Sequence, residues 1–171
     1  MEQNILLWIQ ENMRNDILTP FFKVVTSLGD EGAVWIFLSV LLLCFKKSRL
    51  TGVTCAISLL TSFIFNNLIL KNIIARTRPY EIIQGLNALI PYPSDFSFPS
   101  GHTAASFAVA TVIFLMLHKK FGIPALILAT LIAFSRLYLG VHYPTDVLFG
   151  MLSATVIASV CVQLMLNRKT K

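Results

Sequence analysis

The chain has 171 residues, 56% hydrophobic and 13% charged, with a formal net charge of +6 and a mean hydropathy of +0.73. Soluble domains carry about 25% charged residues, so this composition excludes a soluble domain and defines an integral membrane protein, a single domain over residues 1–171. Nucleic acid is excluded as a partner by where the charge sits. Eight of the fourteen cations fall in three short clusters (Lys46, Lys47 and Arg49; Lys119 and Lys120; Arg168, Lys169 and Lys171), with no acid in or beside them. The positive-inside rule produces this pattern at cytoplasmic loops.

Residues 3–15 alternate apolar and polar groups at helical spacing through Ile5, Leu6, Trp8, Ile9 and Met13. That predicts an amphipathic helix in the membrane interface, within an interfacial segment 1–30. It is no signal peptide, because the apolar core is too short and acids flank it. Residues 17–28, broken by Pro20 and ended by Gly29-Asp30-Glu31-Gly32, are too short to span alone. Five spans follow, at about 33–45, 50–70, 100–117, 123–139 and 145–166, four of them near the roughly 20 residues a bilayer needs. A long loop, 71–99, separates the second from the third and contains Pro79, Pro91, Pro93 and Pro99. The expected fold is therefore all-α, a bundle of about five transmembrane helices with an N-terminal interfacial helix. Cys44, Cys55 and Cys161 sit in apolar runs without metal-ligand spacing and read as small hydrophobes.

With all basic clusters in the cytoplasm, five spans put the C-terminus inside the cell or plasma membrane, and the loop 71–99 and the junction 136–145 outside. Three stretches meet on that outer face. Lys71, Arg78 and Pro79 lie where the second span ends; Pro99-Ser100-Gly101-His102 opens the third; Arg136, His142 and Asp146 bracket the gap between the fourth and fifth. Ionisable groups beside spans are costly and usually face a cavity or a partner.

Three cations, Lys71, Arg78 and Arg136, suit a phosphate. Ser100 is a helix N-cap, and Gly101 lets backbone approach a ligand. The free N–H groups of that first turn, with the helix dipole, complete an anion site. His142 and Asp146 are four apart, so a helical continuation would put them on one face, the carboxylate holding Nδ1–H and leaving Nε2 basic. His142 is thus the expected nucleophile, forming a phosphohistidine, and His102 the general acid that later activates water. Asp95, in the proline-rich loop, is a candidate for tuning His102. Arg76 fits headgroup contact and solvation equally. The cations supply the electrostatic stabilisation, so no metal or other cofactor is expected.

Lys71-x6-Arg78-Pro79, Pro99-Ser100-Gly101-His102 and Ser135-Arg136-x5-His142-x3-Asp146, all within 71–146, resemble the three-part signature of the phosphatidic acid phosphatase type 2 superfamily. The chain is similar to its small bacterial membrane members. The resemblance implies the same roles: Lys71, Arg78, Ser100, Gly101 and Arg136 on phosphate, with His142, His102 and Asp146 catalytic. It implies a phosphatase for a lipid phosphate or diphosphate in the bilayer, with undecaprenyl diphosphate the first choice of substrate. Phosphatidylglycerophosphate, phosphatidate and lipid A phosphate remain alternatives, because the motifs read phosphate and not the tail. A lipid phosphotransferase and a non-enzymatic anion or lipid transporter are the rival classes, and the oligomeric state is left open.

Overall fold

The computed structural model describes residues 1–169, with side chains through Asn167. The side chains of Arg168 and Lys169, and Lys171 as a whole, lie outside the described residues, so the third basic cluster is not placed. Every regular element among the described residues is helical.

Helix α1, Glu2–Met13, forms where the apolar–polar alternation puts it. It docks on the bundle. Leu6 and Ile9 are buried, Leu6 in a cluster with Ile83, Leu86 and Tyr143, while Trp8 stays exposed. Asn15 Oδ1 accepts from the N–H groups of Ile17 and Leu18 and so starts α2, Leu18–Ser27. A turn of 3₁₀ helix, Asp30–Gly32, links α2 to α3, Ala33–Cys44. Positive φ at Glu31 (51°) and Gly32 (70°) makes the break, and the two helices meet at a 47° bend. The expected first span, 33–45, is therefore the second half of a bent pair whose first half is the stretch 17–28. Each half is short alone, and together they are long and apolar enough to cross a membrane.

Helix α4, Arg49–Ser62, runs on through a π-helical stretch, Phe63–Leu70, into α5, Lys71–Ile74. Ala75, at φ 47°, ends it. A four-residue helix α6, Pro79–Ile82, follows with Pro at its first position, where the missing N–H costs nothing. The chain then stays irregular to Ser100. Helices α7 (Gly101–Met116), α8 (Lys119–Tyr138) and α9 (Pro144–Lys169) complete the bundle.

The central helix is α7, packed on α8, α9 and α4 and touching α3. Ala104, Ala108, Val109, Ala110 and Val112 on it are all but fully buried. Small residues let neighbouring backbones come close where lipid removes the hydrophobic drive between helices. Buried hydroxyls then tie elements together: Trp35 Nε1 donates to Ser106 Oγ (2.9 Å), and Ser58 Oγ to Ala108 O (2.9 Å). Large apolar side chains such as Phe37, Ile57, Leu60, Leu152 and Val156 point outward, as a lipid-facing surface requires.

Three helical stretches, Arg49–Ile82, Lys119–Tyr138 and Pro144–Asn167, have the length and hydropathy to cross a membrane, and the bent pair makes up to four. At 16 residues, α7 is shorter. Of the five expected spans, three and, with the bent pair, up to four have the length and hydropathy to cross, and the stretch 100–117 is the shorter α7. The chain path puts both described basic loops, at 45–49 and 117–120, at the end of the bundle away from the α8–α9 turn. Cys55 and Cys161 are buried as expected, whereas Cys44 is exposed.

A Cβ on Gly122 would sit 2.6 Å from Phe114 Cα, a backbone atom. Gly122→Ala must push α8 away from α7 and is expected to destabilise the protein by about 1–3 kcal/mol. A melting temperature in detergent equal to wild type would contradict this packing.

Candidate active site

The site grows from the N-terminus of α7. Ser100 caps the helix, its Oγ accepting from Thr103 N (3.4 Å) and Thr103 Oγ1 (3.0 Å), while its own N–H donates to Asp146 O (3.1 Å). Gly150 makes that crossing possible, since a Cβ there would lie 2.9 Å from Ser100 O. With Thr103 N capped, the N–H groups of Gly101 and His102 find no acceptor among the described residues. Two free donors at the positive end of a helix dipole form an anion seat.

Three cations close on this seat from separate elements. Lys71 stands at the start of α5, Arg78 just before α6, and Arg136 in the last turn of α8. All three are buried. Arg78 Nη1 donates to Val141 O (2.8 Å) and reaches His142 Nε2 (3.4 Å). Arg136 Nη1 donates to Thr26 Oγ1 (2.6 Å), and its buried Nε has no partner among the described residues. A cavity of about 950 Å³ is lined by Lys71, Arg78, Gly101, His102, Arg136 and His142, among others. Six of the eight residues expected at the site therefore share one cavity. Ser100 and Asp146 lie behind it, acting through what they hold.

His142 is almost wholly buried. It sits in the turn before α9, so the expected shared helical face with Asp146 does not exist. Asp146, in the first turn of α9, instead folds back over the turn, its Oδ2 accepting from Tyr143 N (2.9 Å) and lying 3.4 Å from His142 Nδ1. Burial, reinforced by Arg78 and Arg136 and opposed by Asp146, lowers the His142 imidazole to about 3. The ring is thus neutral, the nucleophilic form.

Sequence reasoning missed four partners. Arg76 Nη1 donates to Asp146 Oδ1 (2.6 Å), and its Nη2 to Glu2 Oε2 (2.7 Å), with the guanidinium 3.7 Å from the Tyr143 ring centre. Arg76 is thus a fixed counter-ion for Asp146, and headgroup contact is not its main engagement. Ser97 Oγ donates to Asp146 Oδ2 (2.5 Å). His102 Nε2 meets Asp30 Oδ1 (2.9 Å), and a Cβ on Gly29 would stand 2.9 Å from His102 Cδ2. The break between α2 and α3 therefore supplies a carboxylate for His102, and Thr26 in the last turn of α2 supplies a hydroxyl for Arg136. The signal available was an acid pair inside an apolar stretch.

Asp95 does not meet His102. Its carboxylate pairs with Lys71 Nζ and with Arg78 Nη2 (2.5 Å), and its carbonyl accepts from Arg78 Nε (2.9 Å). Burial pushes the carboxyl up, but hydrogen bonds and charge from Lys71 and Arg78 outweigh it and hold the group at about 2.

The structure is a helical bundle with candidate membrane spans, in which three buried cations and two carboxylate-held histidines gather at one cavity with the charge to receive an anion. The chain belongs to the PAP2 superfamily, whose family model matches residues 50–170. It is 36% identical to an undecaprenyl-diphosphatase of Sulfolobus acidocaldarius over 131 residues, 77% of this chain and 63% of that protein. With undecaprenyl-diphosphatase BcrC of Bacillus subtilis the identity is 30% over 143 residues, 84% of this chain and 72% of that protein. The chain thus spans just under two thirds of the Sulfolobus relative's length. The crystal structure of Aquifex aeolicus LpxE is similar with a TM-score of 0.83 at 27% identity, covering 94% of this chain and 93% of that one.

Two outcomes follow. Arg76→Ala removes a counter-charge from fully buried Asp146 and, since Arg76 is partly exposed, should cost about 1–3 kcal/mol. Thermal unfolding in detergent measures it, and no loss would show Ser97 and Tyr143 to suffice. Asp95, lowered from 3.8 to about 2, contributes stability that is complete above pH 3.8 and lost as pH falls towards 2. The stability gap between wild type and Asp95→Asn should close over that window, and a gap still full at pH 2 would contradict the ion pairs.

Proposed function

We propose that the protein is a lipid diphosphate phosphatase acting on undecaprenyl diphosphate at the outer membrane face through a phosphohistidine on His142. The observation that carries the reading is the meeting of Lys71, Arg78, Arg136, His102 and His142 in one cavity at the N-terminus of α7. The names of the two relatives above favour a polyprenyl diphosphate. The face follows from the positive-inside rule, because the basic loops lie at the opposite end of the bundle from the site.

The terminal phosphate sits on the N–H groups of Gly101 and His102, with Lys71, Arg78 and Arg136 around its oxygens. Neutral His142 attacks phosphorus in line, with Asp146 stabilising the imidazolium that forms. The bond from phosphorus to the bridging oxygen breaks, and the leaving undecaprenyl phosphate takes a proton from His102. Burial and the charge of Arg136 push this imidazole down, Asp30 opposes them, and the negative charge of the bound diphosphate adds to Asp30 in favouring the protonated ring. His102 then removes a proton from water, which attacks phosphorus, releasing inorganic phosphate and neutral His142. The helix N–H groups and cations stabilise the transferring phosphoryl group in both steps. No metal takes part in either step.

The same cavity extends between α3 and α4 as an apolar groove lined by Ile36, Val40, Leu43, Leu59, Leu60 and Phe63. An isoprenoid tail lies along it while the headgroup reaches the cations.

Detergent-purified protein in EDTA should release phosphate from undecaprenyl diphosphate faster than from phosphatidylglycerophosphate or phosphatidate, and His142→Ala should lower the rate by roughly 10⁴ or more. Release that survives the mutation, or needs added metal, would refute the mechanism. Ala56 lines the groove, so Ala56→Trp should raise KM for the long-tailed lipid about tenfold and spare a short, soluble phosphate ester. That tenfold corresponds to about 1.4 kcal/mol of lost tail contact. Equal effects on both substrates would place the tail elsewhere.

A further inference from the structure

Lys71 and Arg78 are both paired with one carboxylate, that of Asp95. The two cations are buried, with 7% and 3% of their side chains exposed, whereas the Asp95 side chain is 50% exposed and lines the same cavity as His142 and Arg136. Its backbone is anchored before the residue by Tyr80 Oη on Pro93 O (3.3 Å), and after its Cα by Arg78 Nε on Asp95 O (2.9 Å) and by Ser97 N on Arg76 O (2.8 Å). A side chain on an irregular segment, fixed at its base and open at its tip, can turn away without moving a helix.

We propose that Asp95 is an internal counter-ion that holds the phosphate's place on Lys71 and Arg78 and sets the affinity of the site for phosphate. The inference rests on the phosphate-binding roles proposed above for those two cations. Buried cations need an anion nearby, and Asp95 provides one while the seat is empty. An arriving phosphate brings more charge than one carboxylate and three strong acceptor oxygens. It displaces the Asp95 carboxylate from Lys71 and Arg78, and the carboxylate turns to solvent. When the product phosphate is ready to leave, Asp95 competes for the same two donors and hastens its release. Arg136, bonded to Thr26 with its Nε free, is outside this exchange and stays committed to the ligand. The residue thus lowers affinity for any phosphate, product included, and keeps the site from being blocked by the inorganic phosphate it makes.

The test compares wild type, Asp95→Asn and Asp95→Glu in detergent, with inorganic phosphate as the probe. Asp95→Asn keeps the shape and removes the charge. By isothermal titration calorimetry it should bind inorganic phosphate about tenfold more tightly than wild type. Phosphate should also raise its melting temperature by more than it raises that of the wild type. Asp95→Glu, which keeps the competing charge, should stay within about threefold of wild type and guards against a folding defect in the amide variant. Phosphate binding to Asp95→Asn that is unchanged or weaker would overturn the proposal and make Asp95 a scaffold for the two cations. Binding needs no turnover, so tighter phosphate binding in a protein that hydrolyses no lipid would sink the phosphatase reading and leave this one standing. Lipid hydrolysis with unaltered phosphate affinity would do the reverse.

Discussion

Lys71, Arg78 and Arg136 are withdrawn almost completely from solvent, with 5%, 3% and 2% of their surface exposed. Each buried ion costs several kcal/mol unless charge and hydrogen bonds return it. In a chain with eight acids in all, those partners are few, and much of the architecture at this end of the bundle exists to bring them in. Asp95 crosses from the loop to meet two of the cations, Thr26 comes from the first bent span to meet the third, and the α7 N-terminus adds donors with no acceptor among the described residues. The group as a whole has more donors than acceptors. An anion is the ligand such an arrangement favours.

The same scarcity governs the two histidines of the site. Each is held by a carboxylate from another element, His142 by Asp146 of α9 and His102 by Asp30 of the 3₁₀ turn. The second pairing gives the kink between α2 and α3 a chemical reason. A straight span would carry residue 30 past the site, whereas the left-handed residues Glu31 and Gly32 turn the chain there and bring Gly29 against the ring of His102. The break thus trades helical continuity for a wall of the cavity.

Behind the cavity, a second polar layer fixes what the first presents. Glu2 accepts from Thr145 N and Oγ1 and from Arg76, so the start of the chain clamps the start of α9. Arg76 passes that constraint to Asp146, which also takes Ser97 and Tyr143. Charge-assisted bonds in a low-dielectric setting hold geometry tightly when every member is satisfied. The α1 helix is therefore part of the site's framework as well as a surface element.

Much of this was legible in the residue order, because local rules govern it. Hydropathy marked the helices after residue 49 to within a few residues, since a bilayer demands long apolar runs with internally satisfied backbone. The Ser100 cap and the grouping of cations and histidines carry their chemistry in their own side chains and spacing. The amphipathic period of residues 3–15 gave α1, though not its docking, which depends on Ile83, Leu86 and Tyr143 far along the chain. Tertiary structure alone decided who pairs with whom. Asp30 with His102, Asp95 with Lys71 and Arg78, and Glu2 with Arg76 and Thr145 join residues 17 to 143 positions apart. No local period encodes such contacts, because an ion pair selects its partner by distance in three dimensions and by the low dielectric around it, and both exist only once the helices have packed.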